Sequence, residues 1–227
     1  MRKAFFAFLA TAIITVFGLT TPAQAATHHH HAKKAVVSIL HAVPGVPVDV
    51  YLNHKRILND FQPGTLAGPL KVKPGTYTVT ITAATATNDK NPIIGPVKVR
   101  LKAKRNYTIV AHLSATGKPT ATLYKNSLKR PHKGNGRLIV RHVAAAPGVD
   151  VFANGRLSMR NLKNPHQSKT QVKAGTYTLA VALHKTTAPV IGPADVKVAK
   201  RQDTIVYAWG SAQQGNLAVA VQTVKTH

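Results

Sequence analysis

Neither cysteine nor glutamate occurs anywhere in the 227 residues. The first absence excludes a disulfide framework and thiolate chemistry, so each folded unit must stand on its hydrophobic core. The second leaves six aspartates, Asp49, Asp60, Asp89, Asp150, Asp195 and Asp203, as the whole stock of acidic side chains. They are isolated along the chain, so a paired-carboxylate site of the glycosidase type would have to be assembled by folding alone. Histidine pairs at metal-ligand spacing are missing. So are a G-x-S-x-G elbow and a glycine loop opening a helix to cradle phosphate, since Gly134–Gly136 (GNG) leads into no helical pattern. No cofactor, no metal site and no catalytic residue is expected. Aromatic residues make up 6%, with Trp209 the only tryptophan.

Long apolar runs are scarce too. The longest is Ala4–Leu19, short of the ~20 residues that span a bilayer. Arg2 and Lys3 before it and Ala23-Gln24-Ala25 after it give the three parts of a secretory signal, so residues 1–25 are expected to be a signal peptide cleaved after Ala25. The mature chain is then secreted, extracellular or associated with the cell wall, with no transmembrane segment. Residues 26–34 hold a His/Lys segment, THHHHAKK, with no apolar period, and are expected to be disordered. Its four histidines would hold a transition metal weakly at best, and the linker reading is preferred.

What the chain does have is positive charge. The formal net charge of +25 includes Arg2 and Lys3, so without them it is +23. Residues 35–124 carry 11 Lys/Arg against three aspartates, residues 125–136 carry four against none, and residues 137–227 carry 12 against three. Such a balance implies self-repulsion unless an anionic partner or counter-ions gather around the protein.

It also has an internal repeat. His41–Arg56 (HAVPGVPVDVYLNHKR) returns as His142–Arg156 (HVAAAPGVDVFANGR), Val72–Ile81 (VKPGTYTVTI) as Val172–Val181 (VKAGTYTLAV), and Ile93–Pro96 (IIGP) as Val190–Pro193 (VIGP). The offsets shrink from 101 (Asp49 to Asp150) through 100 (Gly75 to Gly175) to 97 (Gly95 to Gly192), as loop changes between fixed elements would produce. A period near a hundred means tandem domains rather than a solenoid. Short β-branched runs punctuated by turns every ten residues or so point to β-sandwiches, and no helical period appears. The expected fold is all-β: two tandem immunoglobulin-like or transthyretin-like sandwiches over residues 35–124 and 137–227, joined by a basic linker over 125–136.

Within the first unit, Thr76, Thr78, Thr80 and Thr82 alternate with Tyr77, Val79 and Ile81, so the threonines are expected on the solvent face. Val97–Arg105 (VKVRLKAKR) is the clearest strand, with Lys98, Arg100, Lys102 and Lys104 forming an exposed row. Asn154-Gly155 marks a hairpin, and Asn53-His54 is the costlier counterpart. Tyr77 and Tyr177 are expected in the cores, and Trp209 at the end of a strand is expected to pack.

The blocks HAVPGVPVDVYLN, KPGTYTVTI, HVAAAPGVDVFANG, AGTYTLAV and TIVYAWGSAQQGNLAVAVQTV resemble the family catalogued as domain of unknown function 4397, in its exported actinobacterial form. The resemblance covers nearly all of residues 35–224 in two copies. It implies a compact β-rich extracellular domain and brings no activity, cofactor or catalytic residue. This chain is more basic than such relatives.

Function is therefore expected to lie in the surface. The reading is a non-catalytic protein, monomeric, that associates with anionic cell-wall or membrane-surface polymers through Lys98, Arg100, Lys102, Lys104 and Arg105, with Lys125, Lys129, Arg130 and Lys133 as a second patch. One rival is sequence-blind binding of extracellular nucleic acid, although no aromatics interleave with these cations. Another is a hydrolase built on His41 and Asp49 with nearby Ser38. Against it, Ser38 has no counterpart in the second copy. The structural alternative makes each aspartate an acceptor for amides at the start of its strand and each histidine a strand cap.

Overall fold

The computed structural model describes residues 33–227; the expected signal peptide and the histidine run lie outside the described residues. Every regular element among them is a strand. The first copy holds β1 (Ala35–Ala42), β2 (Val48–Leu52), β3 (Lys55–Phe61), β4 (Leu66–Val72), β5 (Gly75–Ala83), β6 (Ile94–Leu101), β7 (Asn106–Leu113) and β8 (Pro119–Asn126). The second holds β9 (Asn135–Ala145), β10 (Val149–Ala153), β11 (Arg156–Leu162), β12 (Gln167–Lys173), β13 (Gly175–Leu183), β14 (Pro189–Val198), β15 (Gln202–Ser211) and β16 (Ala218–Lys225). No helix among the described residues is long and apolar enough to cross a membrane.

The strands form four sheets of four: β4-β1-β7-β8 and β3-β2-β5-β6 in the first copy, β12-β9-β15-β16 and β11-β10-β13-β14 in the second. The repeat in sequence is thus a repeat in topology, and the all-β expectation of two sandwiches holds. β1 runs parallel to β7, and β9 to β15. The prolines inside strands, Pro69, Pro96, Pro119, Pro189 and Pro193, all sit on edge strands, where the lost amide breaks no central ladder. Both hairpins turn through left-handed residues, Asn53 and His54 (φ 48° and 65°) in one and Asn154 and Gly155 (φ 50° and 72°) in the other. Each asparagine steadies its turn: Thr78 N–H donates to Asn53 Oδ1 (2.8 Å) and Thr178 N–H to Asn154 Oδ1 (2.9 Å).

Three corrections to the sequence reading follow from packing. Polar β3 and β11, and β4 with its internal Gly-Pro, are strands although none shows a clean alternation; each is an edge strand held by its neighbour's ladder. Thr80 and Thr82 are buried, not solvated. Antiparallel register sets Thr80 beside Tyr51 and Thr82 beside Asp49, and those neighbours are buried as well. Lastly, β6 stops at Leu101, and β8 and β9 reach into the expected linker, leaving residues 127–134 as the connection between strands.

Each sandwich has its own core. Val37, Ile39, Val50, Ile81 and Ile109 fill the first, with Tyr77 against its margin. Leu138, Val140, Val151, Val181 and Val206 fill the second, with Tyr177 in the corresponding place. A third core lies between the sandwiches, where sheets β4-β1-β7-β8 and β12-β9-β15-β16 meet: Leu40, Val110 and Tyr124 of the first pack with Ile139, Val143, Ile205 and Tyr207 of the second. The inner strands are consequently buried on both faces, β9 from Gly136 to Ala145 without interruption. Trp209 belongs to this core, its ring against Gly64 of the other sandwich. The described residues form a single compact unit.

Candidate functional site

Lys98 and Arg100 project outward from β6, alternating with Val99 and Leu101, which point into the core. There the strand ends, and the expected row of four cations breaks. The chain instead turns over Lys102–Arg105 with Lys104 in the left-handed region (φ 57°). The cause is local tethering: Lys102 N–H donates to Tyr107 Oη (3.2 Å), Lys104 N–H to Lys34 O (3.0 Å), and Val36 N–H to Arg105 O (2.8 Å). Lys102, Lys104 and Arg105 remain exposed on that turn.

The second expected patch is exposed as well. Lys125 lies on β8, and Lys129, Arg130 and Lys133 lie on the connection that follows. That connection is pinned: Pro131 is buried, His132 N–H donates to Gln171 Oε1 (2.9 Å), and Arg137 Nη2 donates to Lys129 O (3.0 Å). Register sets Tyr107 opposite Lys125 and Asn106 opposite Asn126. The turn that ends in Arg105 and the end of β8, with Lys125, are therefore adjacent at one end of the first sandwich, and Lys129, Arg130 and Lys133 follow on the connection, which His132 ties to β12 of the second. None of the ion pairs among the described residues involves any of the nine cations.

Beside this end lies a cleft of about 870 Å³, walled by β4 and the start of β7 on one side and β16 on the other. Lys104 and Arg105 line it, and the structure adds Lys33, Lys225 and His227, which sequence reasoning did not single out. Nothing in their local sequence marks them, because the cleft exists only where the two sandwiches abut. Hydrogen bonding to Lys33, and then its charge, holds Lys104 below the ordinary lysine range.

The hydrolase constellation does not assemble. His41 Nδ1 accepts from Val43 N–H (3.4 Å), so its Nε2–H faces Val46 O (3.2 Å). His142 repeats this with Ala144 N–H (3.3 Å) and Pro147 O (2.9 Å). Asp49 instead accepts from Arg56 Nη1 (2.8 Å) and Asp60 N–H (3.0 Å), and Asp150 from Asn161 N–H (2.7 Å), His184 Nδ1 (2.9 Å) and Lys185 N–H (3.2 Å). Backbone amides do hold the aspartates, but Asp60 and Asn161 belong to the adjacent strand rather than to the aspartate's own. Both donors have left-handed backbone (φ 50° and 48°), which turns the amide toward the carboxylate. Burial pushes the His41, His112 and His142 pKa values down. Among the described residues no three His, Cys, Asp or Glu side chains are grouped to hold a metal.

Sequence reasoning also missed Arg141. It is fully buried in the third core, where Nε donates to Gln167 Oε1 (2.9 Å), Nη1 to Tyr207 Oη (2.6 Å) and Nη2 to Asn126 Oδ1 (2.7 Å). Burial pulls its pKa down, and the surrounding phenols of Tyr207 and Tyr124 pull back. A basic residue at the middle of an otherwise largely apolar strand, the seventh of the eleven residues of β9, was the available signal.

Residues 35–152 match the family model described as a domain of unknown function, DUF4397. The chain belongs to this family. No curated protein matches it. The DUF4397 match covers the whole first sandwich, the connection and β9, and ends in β10, so it includes strands from both sides of the third core.

Proposed function

We propose that this DUF4397 protein is a secreted, non-catalytic module that associates electrostatically with anionic polymers of the cell envelope. The observation that carries the reading is the exposure of all nine cations, Lys98, Arg100, Lys102, Lys104, Arg105, Lys125, Lys129, Arg130 and Lys133, none of them in an ion pair among the described residues, with the Arg105 turn set beside Lys125 by the β7–β8 register. A repeating anion can engage several such cations at once, and multivalency then raises the affinity well above that of any one exposed pair. The secretory pattern of the first 25 residues supplies the address.

The test is binding of the purified chain to wall and membrane fractions at low and high salt, before and after nuclease digestion. Nuclease-resistant binding that weakens with salt and falls at least tenfold in the Lys98→Gln/Arg100→Gln/Lys102→Gln/Lys104→Gln variant supports the proposal. Binding that disappears with nuclease would assign the surface to nucleic acid instead.

A further inference from the structure

We infer that the cleft between the sandwiches is a binding site for a single-chain anionic amphiphile, a long-chain carboxylate, with its head among Lys33, Lys104 and Arg105 and its tail against Leu66, Val221 and Val224. This goes beyond polymer association. A polymer held at the exposed cations would leave the aliphatic walls of the cleft uncovered.

The first observation is the lining's division into two chemistries. Leu66 on β4 and Val221 on β16 are among the few large aliphatic side chains left exposed, at 37% and 48%, and both line this cleft from different sandwiches. Scattered singly such residues need no explanation. Here they share one concavity with Val36, Leu128 and Val224, and its volume of about 870 Å³ lies within the ~300–1,000 Å³ usual for small-ligand sites.

The second observation is charge. Five basic side chains from both sandwiches converge on the cleft, with Lys225 and His227 completing the set, and no aspartate is in its lining. Holding Lys33 against Lys104 in one cleft is unfavourable by itself: hydrogen bonding to Lys33, and then like-charge repulsion, lowers the Lys104 pKa. A bound carboxylate would relieve it.

Charge also selects the occupant. The His/Lys segment preceding Lys34 carries the same sign as the cleft, and a second copy of this chain would bring like charge to like. An anion with an apolar tail complements both halves of the lining.

The experiment is calorimetric titration of the intact chain with dodecanoate below its micelle-forming concentration, alongside dodecyltrimethylammonium and acetate. Expected is saturable one-site binding of dodecanoate alone, weakened at least tenfold in Arg105→Gln/Lys225→Gln and in Val221→Asp, with circular dichroism confirming that each variant is folded. Lys98→Gln/Arg100→Gln, outside the cleft, should bind dodecanoate within twofold of the parent whatever it does to polymer binding. Absence of saturable binding overturns the inference. So does equal binding of the cationic amphiphile or of acetate, an unchanged affinity in Val221→Asp, or a loss in Lys98→Gln/Arg100→Gln matching that of the cleft variants.

Discussion

The guanidinium carbon of Arg141 lies 4.2 Å from the centre of the Tyr124 ring. One residue comes from β9 of the second sandwich and the other from β8 of the first, so this contact joins the two halves inside a buried interface. The network extends on both sides. Thr108 Oγ1 and Tyr207 Oη both donate to Gln222 Oε1 (2.9 and 2.6 Å), and Tyr124 Oη donates to Pro165 O (2.5 Å). With no carboxylate bonded to it, Arg141 is held by neutral acceptors and ring faces, an arrangement in which every partner depends on the others.

Removing the guanidinium strands those partners. Arg141→Ala is expected to lower unfolding free energy by about 1–3 kcal/mol for each partner left buried and unpaired. Arg141→Lys should recover only part, because an ammonium cannot reproduce three directed bonds and ring stacking together. Urea titration of the three proteins checks this, and a loss under 1 kcal/mol in the alanine variant would count against the network.

The third core should make unfolding cooperative across the repeat. Calorimetry of the parent is expected to show one transition. Placing a charge in that core, as in Val143→Asp, should split it into two or pull the single transition down sharply. Two well-separated transitions in the parent would mean that the sandwiches are energetically independent despite their contact.

Trp209, the only tryptophan, reports on the same interface. A Cβ on Gly64 would sit 2.9 Å from Trp209 Cζ2, and Gly64 has φ +77°, where an L side chain is strained. Gly64→Ala is expected to cost about 1–3 kcal/mol and to shift tryptophan emission to the red as the ring is displaced. Unchanged emission and stability would show that the ring has room to move aside.

Stability should depend on pH in two opposing ways. Burial lowers the His41, His112 and His142 pKa values, so the unfolded chain takes up protons before the folded one. Their contribution is full above the ordinary pKa of about 6.5 and is lost as pH falls below it. Asp203 acts in the other sense. Burial raises its pKa to about 6, against the pull of the Arg137 charge and hydrogen bond, so its contribution declines as pH rises from about 4 through 6. For Asp150, burial acts upward, but hydrogen bonds from Asn161, His184 and Lys185 outweigh it and hold the pKa at about 2. Its contribution persists to pH 4 and is lost below. Carboxyl-detected titration should find Asp203 near 6 and Asp150 near 2. In His41→Gln/His142→Gln the fall in urea midpoint between pH 7 and pH 5 should be shallower than in the parent.

The β-unit and its duplication were legible because their signals are local. Alternation in TYTVTI, Pro-Gly turns, and Asn53-His54 matched by Asn154-Gly155 each describe a few neighbouring residues, and the strands formed where those patterns lie. The cationic surface was legible in composition but not in shape. Lys102 and Lys104 continue the alternation of β6 on paper, yet hydrogen bonds to Tyr107 and Lys34 bend them into a turn. The third core left a fainter trace: Ile39-Leu40 in β1, and Leu138–Val140 and Val143–Ala145 in β9, are apolar on both faces, the pattern of strands covered on both sides, although Arg141 and His142 interrupt it.

Taken alone, the amino-acid order determined that two like β sandwiches would form and that their exterior would be strongly positive, because backbone propensity, turn chemistry and charge are properties of short stretches. Only the tertiary structure decided which outer faces would never meet water, where Arg141 would be buried, and which cations would gather around an aliphatic cleft. Whether a face is covered depends on a sheet some hundred residues away, and nothing in the covered strand's own sequence records what is laid against it.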